Sequence, residues 1–230
     1  MNADEHKADA PQDDAREDIK PKDAREKAVD ALMALAAERP WAEISLANVA
    51  ARAGLSLAQL RDAFPSKGAI LGGFSRRIDR AVLAATTDDL AAESAKDRLF
   101  DVLMRRFDAL KPYKAALEAI DAWAMRDPPA LVEINRLVVN SQRFMLEAAG
   151  LNSEGPLGAV KLQGLAVAWA RVFHVWLSDD SEDLARTMAA LDRELERGAA
   201  WTERLDDARR TLAPFANPLC RLAERVLGGR

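Results

Sequence analysis

One cysteine, Cys220, occurs in 230 residues, so no internal disulfide can brace the chain and a cysteine metal site has little ground. Only two histidines and one tyrosine are present. With His174 the sole histidine of the part expected to fold, there is no metal-binding histidine pair, no nucleophile elbow and no phosphate-cradling glycine loop. Neither catalysis nor a metal or cofactor is therefore expected. Carboxylates are plentiful, but sets such as Glu93, Asp97 and Asp101 at four-residue spacing read as solvated helix stripes. No apolar run approaches the ~20 residues needed to cross a bilayer. The opening Met1 to Lys22 is polar and acidic, so neither a span nor a signal peptide is expected and the cytoplasm is the expected place. Strand signals are missing too: aromatic residues make up 6% of the chain and alternation is rare, which leaves helical periodicity as the dominant pattern.

What is present is ample apolar material, 49% of the chain, enough for a substantial core. The formal charge of −4 argues against a protein that coats nucleic acid everywhere, while leaving room for one local basic face. Much of the acidity lies before residue 23, where Asp4, Glu5, Asp9, Asp13, Asp14, Glu17 and Asp18 outweigh the cations and no large apolar run occurs. The expected organisation is an acidic disordered tail over 1–22, a small helical domain over 23–75 and a larger helical domain over 76–230.

The small domain carries the strongest signal. Ala28, Leu32, Leu35 and Ala36 recur at helical spacing over Arg25 to Glu38, and Pro40 stops that helix. Ser45 precedes a second helix through Leu46, Val49 and Ala53; Gly54 sits where a left-handed turn is needed, and Ser56 is placed to cap a third. Leu60 and Phe64 give that third helix its inner face, leaving Leu57, Ala58, Gln59, Arg61 and Asp62 outward. This is a helix-turn-helix pattern.

The run from Ile44 to Ser56, followed by Leu60 and by Phe64-Pro65-Ser66-Lys67, resembles the amino-terminal domain of TetR-family repressors. The resemblance covers roughly a fifth to a quarter of the chain. It implies an all-α homodimer whose third helix enters the major groove of a palindromic double-stranded DNA operator, and whose larger domain binds a small apolar or amphipathic effector. Carried onto this sequence, it implies DNA contacts from Ser45, Ser56, Leu57, Gln59, Leu60, Arg61 and Lys67, with Ser45 and Lys67 at phosphate-holding positions. Where the family usually ends this helix with an aromatic pair, Arg61 and Ala63 stand here, with acidic Asp62 between them.

Further helices are expected from Ser66 or Lys67 to about Thr86, Ser94 to Leu110, Pro112 to Arg126, Pro128 to Ala149, Pro156 to Leu177, Ser181 to Gly198, and Thr202 to about Val226. Gly72 and Gly73 inside the first of these read either as a soft joint or as a close approach to helix one. The Pro156 to Leu177 segment is apolar on nearly all sides and must be covered all round. A second subunit would cover it most easily, so Leu165, Val172 and Trp176, with Met188, Leu191 and Leu195 of the next helix, are the expected interface of a dimeric four-helix bundle, with burial inside one subunit as the alternative.

For a ligand, Phe107, Trp123, Phe144, Trp169 and Phe173, with His174 as a polar group, have the make-up of an apolar pocket. They equally have the make-up of an ordinary helical core. A second resemblance runs from Val175 to Leu184 and on through Met188 to Leu195, which is similar to the late helices of ubiquinone-biosynthesis accessory proteins built on a TetR-like fold. It implies a lipid- or isoprenoid-binding role without DNA, and a membrane-docking last helix carrying Leu212, Phe215, Leu219, Leu222 and Val226.

Overall fold

A computed structural model describes residues 20–85, 92–201 and 204, the side chains of 155–157 excepted. The acidic tail and most of the expected last helix lie outside the described residues. Every regular element among those described is helical: α1 (Pro21–Glu38), a 3-10 turn (Trp41–Glu43), α2 (Leu46–Ala53), α3 (Leu57–Ala63), α4 (Lys67–Ala84), α5 (Ala95–Leu110), a second 3-10 turn (Lys111–Tyr113), α6 (Lys114–Ala124), α7 (Pro128–Ala148), α8 (Gly155–Leu177) and α9 (185–201).

The boundaries follow local chemistry. Helix α1 begins four residues before Arg25, because Pro21 is tolerated where no intrahelical donor is needed and Asp23 favours the first turn. Ser94 caps α5 by accepting from the Asp97 backbone N–H, and Asp127 does the same for α7 through Ala130. Pro112 falls in the 3-10 turn instead of opening α6. In place of a start near Ser181, α9 follows a turn held by Asp179: Oδ1 accepts from the N–H and hydroxyl of Ser181, and Oδ2 from those of Thr187. Burial alone would raise the Asp179 carboxyl, but these four donors hold it well below the usual carboxylate range.

A continuous core runs from Leu32, Ile44, Val49, Leu60 and Ile70 at one end to Leu103, Phe107, Met145, Trp176 and Leu191 at the other. Burying each such large side chain contributes about 1.5–3 kcal/mol. Helix α4 passes from the first group to the second. Its Arg77 donates to Asp30 and Glu26 of α1 and to the Tyr113 hydroxyl, while Trp41 stacks on Trp123 of α6 with ring centroids 5.1 Å apart. At Gly73 a Cβ would lie 2.8 Å from Phe64 Cζ and 3.2 Å from Val29 Cγ2, so this glycine permits close packing against α1 and the end of α3.

The expected cover of α8 is corrected here. Leu165, Val172, Trp176, Leu191 and Leu195 are all buried within a single chain, because α5, α7 and α9 close over that side of α8. Only Met188 of the expected interface set is half-buried. A different stripe of α8, containing Val160, Gly164, Val167 and Arg171, faces outward.

Candidate functional site

Two capping boxes build the helix-turn-helix. Ser45 Oγ accepts from the Asn48 backbone N–H at 3.1 Å while Asn48 Oδ1 accepts from the Ser45 N–H at 2.9 Å; Ser56 and Gln59 repeat the exchange at 3.1 and 2.8 Å. Between them Gly54 takes φ of 66°, and Leu55 N–H reaches back to the Ala50 carbonyl at 2.9 Å, closing α2 with a left-handed turn. The outcome is a short α3 whose exposed side is Leu57, Ala58, Arg61 and Asp62.

Packing removes one of the expected DNA contacts and engages another. Leu60 is 1% exposed and points into the three-helix core, so it shapes α3 without reaching a groove. Lys67 is turned inward: its Nζ donates to the Trp41 carbonyl at 3.0 Å and the Ile44 carbonyl at 2.6 Å and sits over the Trp41 ring. Desolvation by partial burial moves its ammonium below the ordinary lysine range. Gln59 and Ser56 are half-buried in their capping box, so reading a base with Gln59 requires that box to open. Arg52 is held by Glu38 through two bonds of 2.8 and 2.5 Å, which subtracts another cation from the face. Ser45, Leu57 and Arg61 are exposed.

Behind this unit, a cavity of about 360 Å³ opens among α4, α5, α6, α7 and α8. Leu71, Phe74, Leu110, Leu117, Ile120, Leu137, Trp169 and Phe173 make its apolar wall, and His174, Asp121 and Asn135 are polar groups in its lining. His174 is partnered at both nitrogens, with Asp121 Oδ2 at 3.3 Å and the Ala170 carbonyl at 2.7 Å. The other expected ligand residues lie elsewhere. Phe107 is fully buried in a stack between Trp169 and Trp176; Trp123 is engaged with Trp41; Phe144, 46% exposed, lines a separate cleft among α1, α4 and α7. Helical period tells which face an aromatic occupies, but not which of two neighbouring spaces that face meets.

Sequence reasoning missed the most unusual lining residue, Arg106. It is buried with Asp79 as its ion-pair partner, and the Ser141 hydroxyl donates to the same carboxylate oxygen at 2.6 Å. Burial pulls the guanidinium below its ordinary range, against the pull of Asp79 in the other direction. Among the described residues no group of three or more His, Cys, Asp or Glu side chains is placed to hold a metal ion. No helix among them is long and apolar enough to cross a membrane.

The arrangement of these helices is shared with solved structures. The chain is similar to the TetR transcriptional regulator from Nitrosomonas europaea ATCC 19718, with a TM-score of 0.60 at 23% identity over 76% of this chain and 97% of that one. It is also similar to a TetR transcriptional regulator from Rhodococcus sp. RHA1, with a TM-score of 0.55 at 23% identity over 78% and 97%. The chain has the TetR-regulator fold. No family model matches it, and no curated protein does. Within this fold α3 is the second helix of the helix-turn-helix, and α4 joins it to the helices that line the cavity.

Proposed function

We propose that the protein is a ligand-responsive transcriptional regulator, acting in the cytoplasm as a repressor. It binds a palindromic duplex as a homodimer through the unit spanning 23–75 and takes an apolar or amphipathic effector into the body spanning 76–230. The observation that carries this reading is α3 itself, fixed at its start by the reciprocal Ser56–Gln59 capping box, which leaves Leu57, Ala58, Arg61 and Asp62 at one exposed surface. The outward stripes of α8 and α9 supply the dimer contact, and effector binding shifts the population toward a spacing of the two α3 helices that no longer fits successive major grooves ~34 Å apart.

Selection from a random duplex pool by the purified protein tests this. Enrichment of a palindrome with steep salt dependence is the expected result; a folded dimer that enriches nothing refutes it. A second reading, a lipid- or isoprenoid-binding protein without DNA affinity, is favoured by one set of contacts. Lys67 and Arg52 are both engaged internally and Asp62 faces outward, so the surface offers a polyanion few free cations. The membrane-docking helix of that reading lies outside the described residues.

A further inference from the structure

The buried pair Arg106–Asp79 stands between two spaces. Arg106 of α5 lines the 360 Å³ cavity, and Asp79 of α4 lines the cleft of about 590 Å³ that holds Phe144. Among the described residues Arg106 makes one hydrogen bond, from Nη1 to Asp79 Oδ1. Its Nε is buried with no acceptor, and no bond from Nη2 occurs among the described residues. Its guanidinium lies over the Trp169 ring, 5.4 Å from the centroid, so the unsatisfied donors belong to a side chain held in place on two sides.

Charge decides what complements such a group. Asp79 already balances the guanidinium, so a carboxylate entering the cavity would add an uncompensated negative charge beside Asp79 in a weakly polar interior. An ammonium beside Arg106 would meet the guanidinium, which has no acceptor, and Asp121, the carboxylate in the lining, is already engaged by His174 at 3.3 Å. A neutral acceptor satisfies the unmade donor and adds no charge. The volume has room for about a dozen water-sized groups, within the range of small-molecule sites.

We propose that the cavity takes an uncharged, largely apolar molecule with one strong hydrogen-bond acceptor, the carbonyl of an amide, ester or ketone, which receives a free N–H of Arg106 beside Trp169. This rests on the ligand-responsive reading and names its effector class. It also gives the cavity a polar connection to α4, since the guanidinium that donates to the ligand is the one paired with Asp79. The apolar remainder of the molecule lies against Leu117, Ile120 and Phe173.

The test is calorimetric titration of the full chain with octanamide, octanoate and octylammonium, three probes of one length. Octanamide is expected to bind at least about tenfold more tightly than either ion. Equal or tighter binding of an ion, or no binding of octanamide, overturns the assignment. The double substitution Arg106→Met with Asp79→Asn leaves no lone buried charge and is expected to weaken octanamide binding by about tenfold through loss of the hydrogen bond; unchanged affinity for octanamide also overturns the assignment. The wild-type comparison stands without the variant, should the variant not fold. A protein that selects duplex DNA but prefers octanoate refutes this assignment alone, and one that prefers octanamide but selects no DNA refutes the regulator reading alone.

Discussion

The ammonium of Lys67 donates to the backbone carbonyl of Trp41 at 3.0 Å and lies 4.9 Å from the centroid of that residue's ring. One side chain thus ties the start of α4 to the turn between α1 and α2, and it does so from a position that the TetR resemblance assigns to a phosphate contact. Lys67→Ala is expected to lower folding stability by about 1.5–3 kcal/mol through loss of charge-assisted bonds, measured by urea unfolding. The slope of log affinity for DNA against log salt is expected to stay unchanged. A slope smaller by about one would mean that Lys67 leaves Trp41 to meet a phosphate.

Arg61 and Asp62 carry the opposite expectation, because both are exposed on α3 and neither supports the core. Arg61→Ala is expected to weaken binding to the selected operator by about 1–3 kcal/mol and to relax preference at one base position, with the unfolding midpoint unchanged. Asp62→Asn is expected to strengthen binding to any duplex, since it removes a charge repelled by the phosphates. Titration of labelled operator and scrambled duplex at two salt concentrations checks both. Equal weakening on both duplexes by Arg61→Ala would place Arg61 on the backbone instead.

The helix-turn-helix was legible because its determinants are local. Ser45, Gly54 and Ser56 act on residues within four positions, so a cap or a left-handed turn can be read from neighbouring letters. The cavity was not legible in the same way. Arg106 and Asp79 are 27 residues apart on two helices, and in the sequence each is one charge among many. Likewise the period of α8 marked Val172 and Trp176 as apolar, but only the packing of α5 and α9 decides that they are covered from within the chain.

At Gly73 a methyl group would approach the Phe64 ring to 2.8 Å, and an aromatic ring wedged at the end of α3 has little room to give. Gly73→Ala is expected to destabilise the fold by about 1–3 kcal/mol despite the better helix propensity of alanine. Denaturant unfolding of the variant checks this; a gain in stability would mean that Phe64 moves freely.

Asp179 sets a pH dependence. Its folded carboxyl titrates below the unfolded value, so its stabilisation is present above the unfolded pKa of about 3.9 and is lost as pH falls through the lower folded one. Asp179→Asn is therefore expected to lower stability by about 1.5–3 kcal/mol at neutral pH, with the difference from wild type shrinking only below about pH 4. Unfolding curves at several pH values provide the check, and a difference independent of pH would assign the effect to packing alone.

The two faces of α8 separate folding from association. Leu191 of α9 is 1% exposed against the inner face, so Leu191→Ala is expected to destabilise the chain by about 2–5 kcal/mol. On the outer stripe Val160 and Val167 are 41% and 42% exposed, with Gly164 between them and no heavy atom within 4 Å of where its Cβ would stand. A charge there meets only solvent in one chain, but would be buried if two copies pack α8 and α9 into a four-helix bundle. Val167→Glu is expected to leave the far-ultraviolet spectrum intact and to convert a dimer to a monomer in sedimentation equilibrium. Because two α3 helices must be joined to reach both half-sites, the same variant is expected to lose affinity for a palindrome while keeping weak affinity for a single half-site. Survival of the dimer would move the interface off this stripe and leave the exposed valines without that explanation.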